Sequence, residues 1–329
     1  MQSISEFKKI DLGRLVAGDI LAERYDLEDA EKGLAVQSCF VIKRPSAEVA
    51  RLIATWDPSK HKEMSIYQLS IFSRDQPGQF EKLDFTSQEG PVQKFVEETL
   101  RARDGKTGLL MSEEDLKSLQ DFLSKELPAG QKAQSPEARI AAAKFWSQLT
   151  KTRFDQFVVG GLESLPTYKT KTATMSIPGE IREMISSNPD LYKRFQNLLH
   201  ASVLVGKGGK PATAETYYWQ LFKADKLAAL AVGGVNIEKK SDRFQVIDYQ
   251  FYVSHSYFTN ITLYELWPVT VEGREYTLVW RTDLVSAPLF AWLKGVQQMA
   301  AGMLMTSSIR EAIHFMKSDA ESTTPGGTP

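Results

Sequence analysis

The sequence has little of what most catalytic or metal-binding sites are built from. It contains one cysteine, Cys39, and four histidines, His61, His200, His255 and His314. A single thiol excludes an intramolecular disulfide and any multi-cysteine metal centre. Cys39 lies in an apolar, strand-like run, where a thiol behaves as a small buried hydrophobe and not as a nucleophile. The histidines have no metal-ligand spacing, so each reads as a surface or satisfied polar residue. No G-x-S-x-G elbow occurs, which argues against a hydrolase. The sequence therefore assigns no catalytic residue, no metal ligand and no cofactor.

An excess of charge of one sign is also missing. Lys and Arg number 40 against 41 Asp and Glu, a net charge of -1, and no block of like charges stands out. Nucleic-acid binding needs clustered basic residues, so no nucleic-acid partner is expected. No uninterrupted apolar run reaches the roughly eighteen residues of a membrane span, so no integral membrane segment is expected. Met1 to Ile20 mixes charged and isolated apolar residues without the apolar stretch of a signal peptide, which leaves the cytoplasm as the default location. With 42% hydrophobic and 25% charged residues the composition is that of an ordinary soluble globular protein. A chain of 329 residues accommodates two domains of roughly 150 residues, or one domain with a large insertion.

What is present is a change of pattern along the chain. Leu34 to Arg44 reads as a strand rich in β-branched and aromatic residues, and Pro45 suits the first turn of a following helix. In that helix Val49, Leu52, Ile53 and Trp56 make an apolar stripe, ended by Asp57-Pro58. Met64 to Ser73 reads as a second strand. From Thr86 to Lys210 the period is helical: Ser112 and Asp115 form a capping-box pattern, Ala142, Phe145, Trp146 and Leu149 keep helical spacing, and Asn188-Pro189 opens another helix. This stretch, 86–210, reads as a helical insertion between two parts of one domain, 1–85 and 211–318. Gly206 to Pro211 (GKGGKP) lacks P-loop spacing and reads as a linker. Strands return at Glu215 to Phe222, Phe244 to His255, Tyr257 to Val271 and Arg274 to Val285, with a hairpin turn at Glu272-Gly273. A long helix is expected from Pro288 to Lys317, capped by Ser286, with Leu289, Trp292, Leu293, Val296, Met299, Ala300 and Met303 as its packing stripe. Residues 319–329 have the composition of a disordered tail. The fold class is α+β, an antiparallel sheet against a long C-terminal helix.

The opening AVQSCFVIKRPSAEVARLIATWDPSKH and the close ITLYELWPVTVEGREYTLVWRTDLVSAPLFAWLKGVQQMAAGMLMTSSIRE resemble the START-like superfamily, also called the helix-grip or polyketide-cyclase-like (SRPBCC) fold. Gly18, the strand ending at Lys43, Pro45 and Asp57 look like its leader, strand, proline, helix and aspartate opening. The resemblance covers residues 12–73 and 211–317, and the helical region between them departs from the usual family pattern. It implies a curved sheet gripping the last helix, with an elongated cavity between them for a lipid or other hydrophobic molecule. Some members of the family catalyse reactions in that cavity.

Within this frame the strands supply candidate ligand contacts. Glu265 shares its side of the pleat with Ile261, Leu263, Trp267 and Val269, and a carboxylate in an apolar row is unusual. Facing inward it would anchor a ligand or act as a general acid or base; otherwise it pairs with an arginine such as Arg281. On the last strand Tyr276, Leu278, Trp280 and Leu284 share the face expected to be interior. The expected ligand-binding set is Trp219, Tyr249, Phe251, Glu265, Trp267, Trp280, Trp292, Gly295 and Met299. The leading expectation is binding of a hydrophobic small molecule under the C-terminal helix. The alternatives are a cyclase- or aromatase-type enzyme acting through Glu265 and a tyrosine, and a module that binds a protein partner through residues 86–210.

Overall fold

The computed structural model describes residues 4–27, 30–76, 78–128, 130–169, 174–205, 209, 211–293 and 296–322. In chain order the elements are α1 (Leu12–Val16), β1 (Leu21–Tyr25), β2 (Gly33–Ile42), α2 (Ser46–Thr55), β3 (Ile66–Phe72), α3 (Gly90–Arg101), α4 (Glu113–Glu126) and α5 (Pro136–Gly160). A two-stranded ribbon, β4 (Tyr168–Lys169) and β5 (Thr174–Met175), precedes α6 (Ile177–Ser186) and α7 (Pro189–Ser202). The chain ends in β6 (Thr216–Ala224), β7 (Leu227–Lys239), β8 (Phe244–Val253), β9 (Thr259–Val271), β10 (Arg274–Ser286) and α8 (Val296–Ser322).

The fold is α+β, with one open antiparallel sheet in the order β1-β2-β10-β9-β8-β7-β6-β3. Strands from the N-terminal segment form both edges, and the successive C-terminal hairpins fill the middle. The predicted turn between β9 and β10 is present: Glu272 and Gly273 both have positive φ, 50° and 73°, as a two-residue hairpin with the twist of its strands requires. Strand β7 was not expected. Its sequence, LAALAVGGVNIEK, is dominated by Ala and Gly, which are weak strand formers, so only pairing with β6 and β8 reveals it.

Both faces of the sheet are covered, by different helices. One face carries Trp219, Leu230, Ile247, Tyr249, Phe251, Ile261, Leu263, Trp280 and Leu284, and packs in one continuous core with Phe95, Trp146, Phe157, Ile181 and Phe195 of the helical region. The other face carries Val36, Phe40, Val246, Tyr264, Leu266 and Val279, and packs with Val49, Ala50 and Ile53 of α2 and Ile309, Ile313 and Met316 of α8. Helix α2 lies on β7 to β10, and α8 lies on β1 and β2. Local signals in the helical region act as read: Ser112 and Asp115 cap α4 reciprocally, and Asn188 accepts from Leu191 N at the start of α7. Most of the Gly206 to Pro211 linker lies outside the described residues.

Three expectations about the C-terminus need correction. The helix begins at Val296 and not at Pro288, and Ser286 is the last residue of β10, hydrogen-bonded to Glu180, and not a helix cap. The expected packing stripe is largely in solvent: Leu289, Trp292, Val296, Met299 and Met303 are all more than half exposed. The buried side of α8 is Gly302, Ile309, Ile313, Met316 and Ala320. The helix carries apolar residues on a helical period along its whole length, and periodicity alone does not say which turns meet the sheet. Residues 319–322 are helical, not tail, because Asp319 accepts hydrogen bonds from Trp56 Nε1 and His61 Nε2 at 2.8 Å each, while the His61 ring stacks on Phe315 at 4.3 Å. Residues 323–329 lie outside the described residues.

Candidate functional site

Most of the residues expected to line a cavity under the last helix point away from it. Trp219, Tyr249, Phe251, Trp267 and Trp280 belong to the face covered by the helical region. Phe251 stacks on Phe157 at 4.1 Å, Trp280 on Phe195 at 6.1 Å, and Trp219 Nε1 donates to Gly78 O at 2.6 Å. These are contacts of a packed interior. Met299, on α8, and Trp292, in the turn before it, are exposed. Gly295 lies outside the described residues. Alternation along a strand says which side chains share a face; it does not say which helix covers that face, and here the helical region takes the aromatic one.

Glu265 is fully buried on the same face, and its two oxygens are taken. Arg194 of α7 binds it in bidentate fashion, Nε to Oε1 at 2.7 Å and Nη2 to Oε2 at 2.9 Å. Arg243 Nε and Gln245 Nε2 also reach Oε1, at 2.9 and 2.7 Å. A carboxylate with no solvent exposure, held by two guanidiniums and an amide, is closed off from substrate, so Glu265 is a clamp that docks α7 on the sheet. Arg281 is not its partner; it faces the other way and forks onto Asp283, at 2.8 and 2.6 Å. A second buried ion pair joins Arg153 of α5 to Asp115 of α4, next to Tyr168 and Tyr252, whose rings are about 1% exposed.

The α2 and α8 face holds a different chemistry. Beyond the apolar rows of Val246, Leu266 and Val279 the strands β6, β8, β9 and β10 present Tyr218, Asp248, Gln250, Thr262, Tyr264, Arg281 and Asp283, a polar floor held by separate hydrogen-bonded groups. Tyr218 Oη donates to Asp248 Oδ1 at 2.8 Å, Thr262 Oγ1 to Asp283 Oδ1 at 2.9 Å, and Tyr257 Oη to Gln250 Oε1 at 2.6 Å. The Arg281 guanidinium lies 5.3 Å from the centre of the Tyr264 ring. One glycine of β7 makes the arrangement possible: a Cβ at Gly233 would meet Tyr218 Cζ at 2.5 Å and Tyr249 O at 2.6 Å. Only glycine lets the Tyr218 ring cross β7 to reach Asp248.

The electrostatics of this floor are unusual for a strand surface. Burial pushes the Asp248 carboxyl up to about 6, against the lowering effect of the Tyr218 hydrogen bond and the Arg281 charge. Burial likewise lifts Tyr218 well above its ordinary range, with the Asp248 charge adding to it. Yet Tyr218, Asp248, Tyr257 and Arg281 each keep partial access to solvent. With Arg281 and Asp283 compensating each other, an ionised Asp248 leaves one unbalanced negative charge on the floor. At the same floor Asn260 Oδ1 and Ser38 Oγ are buried without a hydrogen-bond partner. Groups of that kind cost free energy unless something satisfies them.

Of this floor, Asp248, Gln250, Asn260, Thr262 and Asp283 were not singled out by the sequence as ligand contacts. The signal that could have found them was the even spacing of Asn260, Thr262 and Tyr264 in β9 and of Arg281 and Asp283 in β10, polar groups on a face read as outward. Among the described residues no group of His, Cys, Asp and Glu could hold a metal ion. Cys39 is buried, and burial raises its thiol to about 12, so it stays protonated and unreactive. No helix is long and apolar enough to cross a membrane among the described residues.

Fold and floor together describe an α+β protein whose sheet is covered by helices on both sides, one side aromatic and packed, the other part apolar and part polar. Compared with known proteins, the chain matches no protein-family model and no curated protein.

Proposed function

We propose that the protein binds an apolar small molecule whose polar end carries hydrogen-bond donors, lodged between α2 and α8 on the polar floor. The observation that carries this reading is the surplus of acceptors there: Asp248 with its unbalanced charge, and Asn260 Oδ1 with no partner. An amine, amide or hydroxyl would satisfy both. The START-like resemblance favours the same side of the sheet, because it too places a ligand by the C-terminal helix.

The test is a fluorescence titration with N-phenyl-1-naphthylamine, an apolar probe with one N–H donor. The full chain takes up the probe, and Asn260→Leu weakens uptake about fivefold to tenfold, the worth of one hydrogen bond of about 1 kcal/mol. Because Asn260 Oδ1 is unpartnered in the free protein, the same substitution leaves thermal stability unchanged or raised. No uptake by the wild type, or equal uptake by Asn260→Leu, removes the reading.

An enzymatic role moves with the site. Glu265 is fully buried and held by two guanidiniums and an amide, whereas Asp248, raised to about 6 and bonded to Tyr218, has the ionisation a general acid or base needs near neutrality. A protein partner at residues 86–210 remains the third reading, with Ile140 and Val159 of α5 as its exposed apolar residues.

A further inference from the structure

The turn before α8 and its first turns form the largest exposed apolar feature of the described residues. Trp292 is 71% exposed, Val296 82% and Leu304 72%, and Leu289, Met299 and Met303 are more than half exposed. Val296, Met299 and Met303 fall at i, i+3 and i+7, so they stand on one face of the helix. A patch this size on a monomer marks an interaction surface.

Its charge points to the occupant. No Asp or Glu occurs between Asp283 and Glu311, a stretch in which every ionisable side chain is basic. At the foot of the patch a groove of about 460 Å³ is lined by Met299, Met303, Thr306 and Ser307 of α8 together with two guanidiniums, Arg24 and Arg310, one carboxylate, Asp26, and Tyr25. Arg24 lies flush against Gly302, where any Cβ would collide with its Cδ, and its Nε is buried without a partner. Its Nη2 pairs with Asp26, and Arg310 Nη2 donates to Ala22 O at 3.0 Å, so the groove keeps a net positive charge. Exposed methionines and a tryptophan beside guanidiniums and hydroxyls are what an in-plane membrane contact requires: apolar chains enter the acyl boundary and cations stay with the headgroups.

We infer that the N-terminal part of α8 docks on a lipid surface that carries anionic headgroups, with a headgroup phosphate received between Arg24 and Arg310. The docking is in the plane of the interface, since the helix is too short in apolar length to span. This inference does not depend on the polar floor.

Flotation of the full chain with vesicles tests it. Vesicles of phosphatidylcholine containing phosphatidylglycerol carry the protein upward, pure phosphatidylcholine binds it at least tenfold less, and added salt weakens the contact. The double variant Trp292→Glu, Met299→Glu, whose sites are exposed and whose melting temperature stays at the wild-type value, loses binding at least tenfold. Failure to float with phosphatidylglycerol vesicles overturns the inference, as does binding that the double variant leaves intact. A concentration-dependent dimer in sedimentation velocity, dispersed by the same variant, would give the patch to a second copy and overturn it too. Displacement from vesicles by equimolar glycerol phosphate would reduce the groove to a site for a soluble phosphate.

Discussion

Asp248 carries a charge that its surroundings do not favour. Its carboxyl is raised from an ordinary 3.8 to about 6, so the folded protein binds a proton that the unfolded chain has lost between these values. The sign follows from linkage: the penalty is absent below pH 3.8, grows through the window and is complete above about 6. Asp248→Asn, which keeps an acceptor for Tyr218, should therefore raise stability at pH 7.5 by about 1 to 3 kcal/mol, with the gain vanishing toward pH 4, as urea unfolding at a series of pH values would show. The binding role proposed for the floor accounts for such a cost. Gly233 makes the complementary point. Gly233→Ala places a methyl against the backbone oxygen of Tyr249, which cannot move aside, and should cost about 1 to 3 kcal/mol in thermal unfolding. Glu265 was legible in the sequence as an odd carboxylate in an apolar row, but its partner was not. Arg194 lies 71 residues away on an element whose docking no local pattern encodes.

Between elements, two ion-pair arrangements set which helix covers which face. Glu265 ties α7 to β9, and Glu265→Ala leaves the Arg194 and Arg243 guanidiniums without their carboxylate; a loss of about 3 kcal/mol is expected, because a broken buried pair costs more than the pair contributes. A catalytic Glu265 would instead tolerate substitution, so the denaturation midpoint separates the two roles. Asp319 pins the other end of the architecture. Burial alone would raise its carboxyl, but the hydrogen bonds from His61 and Trp56 and the charge of His61 outweigh it and hold the group below its ordinary 3.8. Its contribution is present above that value and fades as pH falls through the lowered one. Asp319→Asn should weaken the last turns of α8 by about 1 kcal/mol, less than a buried pair because the carboxylate is partly solvated, and amide hydrogen exchange of those turns reads it. Elements with strong local signals, such as β2, β8, β9, β10, α4 and α7, could be read from sequence. The alanine- and glycine-rich β7 could not, because its strand state comes from its neighbours. The apolar face of α8 could not be placed because its exposed first turns and its buried later turns carry apolar residues alike.

For the molecule as a whole, the sheet divides two environments. The helical region seals the aromatic face, so the tryptophans and phenylalanines that look like a cavity lining are interior packing. The face shared by α2 and α8 keeps the partly solvated polar floor. Tyrosines report on both: Tyr218 and Tyr257 belong to the floor, Tyr168 and Tyr252 to the sealed side. The direct measurement is NMR of the full chain with ¹³C-labelled tyrosine Cζ, titrated with N-phenyl-1-naphthylamine. Shifts at Tyr218 and Tyr257 with Tyr168 and Tyr252 unmoved are the predicted result; shifts confined to Tyr168 and Tyr252, or none at any tyrosine, would contradict it.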